Sequence, residues 1–258
     1  MITMSVSPIA FTIGAVSVRW YGIMIALAVV VVVLWAMWEV RRGANLSYDT
    51  IFTAALVGIP SGIIISRLLH VVDRLDFYSQ NPGLIVGFAG LTIYGAILGA
   101  AFGIWIYSRF SHLRFGYLAD LVVPGLMLAQ AVGRVGCILN GCCSGTETSL
   151  PWGIVYTDPE SYAPLGVALH PTQIYEIVFL LVVFAVLFNL RRRFQPDGSL
   201  FLVYLGIYSL WRVGIDFLRE GTSFLFGLHQ AQVIGIIVLL IAIPTLAMRT
   251  RWIKVEAT

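Results

Sequence analysis

The sequence predicts an all-α integral membrane protein with seven transmembrane helices, the N-terminus outside and the C-terminus in the cytoplasm. Three observations carry that expectation. Of 258 residues, 59% are hydrophobic and only 11% charged, with a mean hydropathy of +0.90. The apolar residues gather into seven runs, each close to the roughly 20 residues that cross a hydrocarbon core. Basic residues collect in alternate connections between those runs. Leu, Ile, Val and Ala fill the runs continuously, without the alternation of barrel strands, so helices satisfy the backbone within each span.

The runs lie at about 18–40, 51–72, 84–107, 117–139, 171–190, 199–218 and 229–248. Residues 1–17, apolar with serines, threonines and Pro8, read as an interfacial lead-in. No basic residue precedes Arg19, so this start does not resemble a cleavable signal peptide. The first span opens on Val-Arg-Trp-Tyr-Gly around Tyr21. The third passes through a glycine-rich stretch holding Tyr94. The fourth contains Pro124, which a membrane helix accepts where neighbours cover the freed backbone. His170, Thr172, Gln173, Tyr175 and Glu176 open the fifth, where Pro171 suits a first helical turn. Pro196-Asp197-Gly198 reads as a tight turn into the sixth. The chain is expected to be a single transmembrane domain over 1–258, with an external loop insert at about 140–170.

Orientation follows from charge. Arg41 and Arg42, Arg109 and Arg114, Arg191 to Arg193, and Arg249, Arg251 and Lys254 occupy alternate connections, which are assigned to the cytoplasm. The long 140–170 connection carries Glu147, Asp158 and Glu160 without any Lys or Arg, and is assigned to the outside. Arg19, Arg67, Arg134, Arg212 and Arg219 then fall at the outer ends of their spans, with Arg74 in an outer loop. Cations on one outer level suggest an anion pocket, and a phospholipid headgroup suits it because guanidinium grips phosphate with a two-pronged fork. Local pairing competes with this, as for Arg212 with Asp216 at i,i+4. Tyr78, Trp152 and Tyr162 fit as interface anchors. Asp120 and Glu39 fit structural or boundary roles. No basic stripe interleaved with aromatics is present, which excludes nucleic acid as a partner.

The stretch from Gly133 to Gly145, GRVGCILNGCCSG, concentrates polar chemistry at the end of an apolar run. An arginine inside a membrane is costly and marks a functional site; glycines allow a ligand close to the backbone. Cys137, Cys142 and Cys143 leave several readings open. They can form a disulfide on an oxidising face, supply a nucleophilic thiolate aided by Arg134 or His170, or pack as small polarizable residues. Zinc with His170 is a further reading, but C-x4-C-C with a distant histidine is not a recognised spacing, and no metal is expected.

Taken together, VRWYG, G-R-x-G-x-x-x-N-G at Gly133–Gly141, HPTQIYE at His170–Glu176 and RVGIDFLR at Arg212–Arg219 resemble the bacterial prolipoprotein diacylglyceryl transferases, in order and spacing from about residue 10 to 245. The resemblance implies a transferase of the bacterial plasma membrane, active toward the outer leaflet. It would move the diacylglyceryl group of phosphatidylglycerol onto the thiol of a lipobox cysteine in a secreted prolipoprotein, releasing glycerol phosphate, without a cofactor. By resemblance, Arg134 holds the headgroup phosphate and Arg212 assists at the reacting centre. Tyr21, Asn140, Gly145 and Asp216 stand at positions that bind substrate or support the site. Tyr94, His170, Glu176 and Asp216 are the candidate bases, and Arg19, Arg67 and Arg219 the further lipid contacts. The chain departs from the family pattern at Cys137 (usually Asn), Cys142 (usually Glu), Tyr94 and Arg19 (often His) and Asp216 (usually Glu). A paralogous transferase with another acceptor, and a phospholipid-binding protein without turnover, remain as alternatives.

Overall fold

In the computed structural model the described residues are 1–14, 16–87, 90, 92–111, 113–191, 193–221 and 224–252. Among them, seven helices are long and apolar enough to cross a membrane. They are α1 (Trp20–Arg41), α2 (Tyr48–Asp73), α4 (Ile93–Phe110), α5 (Phe115–Asn140), α6 (Thr172–Leu190), α7 (Ser199–Ile215) and α8 (Gln230–Arg249), with a short α3 (Leu75–Gln80) after α2. The protein is thus a multi-pass membrane protein, as its hydropathy predicts. The chain forms two compact units, one from residues 1–35 and 119–258, the other from 36–118.

In the smaller unit, α2 and α4 pack on small residues. Gly58, Gly62 and Ser66 recur every fourth position on α2, and Gly95, Gly99 and Gly103 on α4; all six are buried. A Cβ on Gly99 would lie 2.6 Å from both the Ser61 carbonyl and Ile65 Cβ, so only glycine admits this approach. In membranes such small-residue rows replace the hydrophobic drive that lipid removes. Ser47 and Thr92 accept hydrogen bonds from Thr50 N and Gly95 N and cap the two helices.

The third span differs from its expected range. Pro82–Leu84 forms a 3-10 turn, and the helix begins only at Ile93. Asn81-Pro82-Gly83 sets a turn just ahead of the apolar run, and Arg67 holds the run's first residues out of the helix by donating to Ile85 O (3.0 Å), Gly90 O (2.9 Å) and Leu84 O. Phe88, Ala89 and Leu91 of that run lie outside the described residues. Tyr78 is not a boundary anchor: it is buried at 5% exposure, edge-on to His70 and beneath the Arg67 guanidinium.

In the larger unit, Val123, Met127 and Ala131 of α5 meet Leu180, Val183 and Leu187 of α6 and Leu200 and Tyr204 of α7 in a closed apolar core. Pro124 sits within α5 without ending it. Asp120 has the structural role expected of it: its carboxylate accepts from Gly198 N and Phe201 N, both at 2.8 Å, and so caps the start of α7. Gly136 lets α1 approach α5, since a Cβ there would fall 2.9 Å from Met24 Cβ.

The insert before α6 is more than a loop. β1 (Ile2–Met4) pairs in parallel with β4 (Ile154–Tyr156), which pairs antiparallel with β5 (Ala168–Leu169). Ile154, Tyr156, Ala163 and Leu169 form its small core. The N-terminal lead-in therefore joins the sheet of the insert, and its remainder folds as a hairpin of β2 (Ile9–Ile13) and β3 (Val16–Arg19). Two further short strands, β6 (Phe194–Gln195) and β7 (Arg251–Trp252), pair near the other end of the chain. Of the cations used to orient the chain, Arg192 and Lys254 lie outside the described residues.

Candidate active site

The last turns of α5, the first of α6 and the end of α7 bring together a line of charge around two buried carboxylates, Glu176 and Asp216. Glu176, 2% exposed, lies at its centre. Arg134 Nη2 pairs with its Oε1 at 2.8 Å, Tyr208 Oη donates to the same oxygen at 2.8 Å, and Arg212 Nη1 stands 3.9 Å from Oε2. Arg212 Nη2 reaches Asp216 Oδ1 at 3.2 Å, the i,i+4 pair that the sequence predicts. Asp216, also buried, faces Arg219 Nε at 4.0 Å and His229 Nδ1 at 3.0 Å.

Charges so removed from water persist only when paired, because the desolvation cost is several kcal/mol per ion. Here three guanidiniums face two carboxylates. The line therefore keeps positive charge in excess. Arg212 Nη1 is buried and makes no hydrogen bond. An unused charged donor beside Arg134 suits an anion with several acceptor oxygens.

Around this line the polar segment of Gly133–Gly145 turns back on itself. Gly141 and Cys143 take positive φ, +69° and +64°. The first turn of α6 fastens the turn: Thr172 Oγ1 donates to Cys143 O at 2.7 Å and Gln173 Nε2 to Cys142 O at 2.8 Å. Gly145 N donates to His170 O, and a Cβ at Gly145 would collide with the Leu218 carbonyl, so this position requires glycine. All three cysteines are free thiols. Arg134 Nη1 stands 3.8 Å from Cys137 Sγ. Hydrogen bonds from the Cys137 and Cys142 thiols, then the charges of Arg219 and Arg134, hold Cys143 well below the usual thiol range. Tyr156, whose hydroxyl donates to Ile138 O, is pushed up to about 12 by burial.

The other predicted residues divide. Tyr21 lies beside Gly136, within electrostatic reach of Arg134 and the cysteines. Arg19 donates to Asn140 Oδ1 at 3.2 Å and to Glu160 O at 3.2 Å, pairs with the Glu160 carboxylate at 3.4 Å, and covers the Tyr162 ring. It and Asn140 tie the insert to the end of α5. His170 Nδ1 faces Tyr175 Oη at 3.4 Å, which accepts from Trp152 Nε1. Arg67 and Tyr94 belong to the smaller unit; Arg67 grips its loop, and Tyr94 is 41% exposed on the first turn of α4.

Sequence reasoning missed Tyr208 and His229. Tyr208, Arg212 and Asp216 share one helical face by their spacing of four, which exposes Tyr208 as a candidate once Arg212 is chosen. His229 caps α8 with Gln232 in a reciprocal box, a pattern visible as a polar residue three before glutamine ahead of an apolar run.

A family profile described as prolipoprotein diacylglyceryl transferase matches residues 8–248. The chain is 52% identical over 251 residues to the phosphatidylglycerol–prolipoprotein diacylglyceryl transferase of Dehalococcoides mccartyi, covering 97% of this chain and 96% of the relative. It is 35% identical to the enzyme of the same name from Clostridioides difficile, over 89% and 90% of the two chains, and 34% identical to that of Listeria innocua, over 94% and 89%. With seven membrane-length helices and these relatives along nearly its whole length, the chain belongs to the prolipoprotein diacylglyceryl transferase family.

Proposed function

We propose that this enzyme moves the diacylglyceryl group of phosphatidylglycerol onto the thiol of a lipobox cysteine in a prolipoprotein, at the outer leaflet of the bacterial plasma membrane. The observation that carries the residue roles is the line Arg134–Glu176–Arg212, with a buried Arg212 donor free of any hydrogen bond. In the reaction the acceptor sulfur attacks the glyceryl carbon that bears the phosphate ester. A C–S bond forms, the C–O bond breaks, and glycerol phosphate leaves with an added negative charge. Arg134 and Arg212 meet that growing charge where water is scarce, so their contact strengthens toward the transition state. Glu176 and Asp216, both engaged by guanidiniums, hold the arginines in place. Of the candidate bases in the larger unit, His170 faces the Tyr175 hydroxyl and, among the described residues, no carboxylate or guanidinium, and it is the better acceptor for the thiol proton.

Phosphatidylglycerol and a lipobox peptide are to be incubated with the purified protein and followed by mass spectrometry. The expected result is glycerol phosphate together with a peptide heavier by one diacylglyceryl group. Turnover with another acceptor alone would shift the reading to a paralogous transferase. A reporter fused after residue 193 should be cytoplasmic and one near Thr157 external; the reverse pattern would contradict the outer-leaflet site.

A further inference from the structure

The three cysteines form a ligand set that the phosphate chemistry does not use. Their sulfurs all lie within 4.8 Å of one another, and among the described residues no His, Asp or Glu atom joins the group. Tetrahedral zinc with Zn–S bonds of about 2.3 Å places its sulfurs roughly 3.8 Å apart, so small rotations about the side-chain bonds would close this set on an ion. The backbone is committed to the convergence. Cys142 N donates to Cys137 O at 3.1 Å, and α6 holds the carbonyls of Cys142 and Cys143. Cys143 also accepts a φ of +64°, a conformation that disfavours any residue with a Cβ and persists where the surroundings enforce it. Three ligands with a fourth position open is the arrangement of catalytic rather than structural zinc.

We propose that Cys137, Cys142 and Cys143 bind a thiophilic divalent cation, zinc, whose open position takes the acceptor cysteine of the prolipoprotein as its fourth thiolate. The proposal rests on the transferase reading and names what activates its nucleophile. Binding forms the Zn–S bond and sends the thiol proton to a base such as His170. The zinc-held sulfur then attacks the glyceryl carbon; the C–S bond forms, the Zn–S bond weakens as the neutral thioether leaves, and the C–O electron pair departs with glycerol phosphate. No oxidant or reductant enters. Four thiolates on zinc carry net negative charge, which the adjacent Arg134 offsets. The same guanidinium holds the phosphate, so nucleophile and leaving group meet at one residue.

The test uses the purified full-length protein. Elemental analysis should give about one zinc per chain, lost in the Cys142→Ser and Cys143→Ser variants and kept in Cys142→His, which retains a ligand. Cobalt(II) exchanged into the site should show tetrahedral d–d absorption and a sulfur-to-cobalt charge-transfer band. A lipobox peptide should intensify that band, and the same peptide with its cysteine changed to serine should not. Chelation should abolish lipid transfer and zinc should restore it. Full transfer by metal-free protein, a cobalt spectrum indifferent to the cysteine peptide, or a disulfide among the three residues under reducing conditions would each overturn the proposal and leave the transferase reading intact. Zinc-loaded protein that bound the peptide thiol yet released no glycerol phosphate would instead overturn the transferase reading.

Discussion

Two helix contacts in this protein solve the same problem by opposite means. Between α2 and α4 the chain removes side chains: Gly58, Gly62, Gly95, Gly99 and Gly103 bring the backbones together. Where α5 and α7 end and α6 begins, it does the reverse and sets half-buried Arg134 and Arg212 against buried Glu176 and Asp216. Close packing of small residues is the inexpensive way to associate helices in lipid. Buried charge is the expensive one, and a hydrophobic substitute of equal volume often holds as well. The charged contact is thus accounted for by what it does to an anion and not by the adhesion it provides.

That contrast can be broken from either side. Glu176→Ala should have the largest effect on stability, about 3–5 kcal/mol, because it leaves two half-buried guanidiniums without their shared carboxylate. Glu176→Gln should recover part of it by keeping the Tyr208 hydrogen bond. Denaturant titration in detergent reads both, and equal stability of the Ala variant and wild type would deny the carboxylate its central place. On the other side, Gly99→Val should cost about 1–3 kcal/mol by overpacking and separate α2 from α4, read by cross-linking between cysteines placed on the two helices. A still smaller loss, about 1 kcal/mol, is expected for Asp120→Ala, which uncaps α7 while leaving the arginines in place. If its loss of transfer exceeded its loss of fold, Asp120 would have a role beyond capping.

The sequence made the spans legible because membrane helices are long and uniformly apolar. It also made the Arg212–Asp216 pair legible, since i,i+4 spacing is local. It did not reveal β1 or β5, which are two or three residues long and stabilised by pairing with a distant segment. The late start of α4 escaped because Ile85 and Val86 remain apolar where the backbone has left the helix, its carbonyls held by Arg67. Within the site, the residue types were legible from cost alone: an arginine, a glutamate or an asparagine in an apolar run requires a partner. Which partner was not legible. Glu176 read as a base, yet it meets Arg134 forty-two positions away, a pairing that only the tertiary fold creates.

The central claim is that Arg134 and its line act on the leaving phosphate. The most direct measurement compares purified wild type, Arg134→Lys and Arg134→Ala, matched for folding, in phosphatidylglycerol binding and in glycerol phosphate release. Arg134→Lys keeps the charge but loses the fork, so transfer should fall strongly while lipid binding falls much less. Arg134→Ala should lower transfer by about a hundred- to a thousand-fold, the range for losing a donor that acts on developing charge. If Arg134→Ala kept more than about a tenth of wild-type transfer, well short of that range, the phosphate would be held elsewhere, and Arg212 or Arg19 would have to hold it.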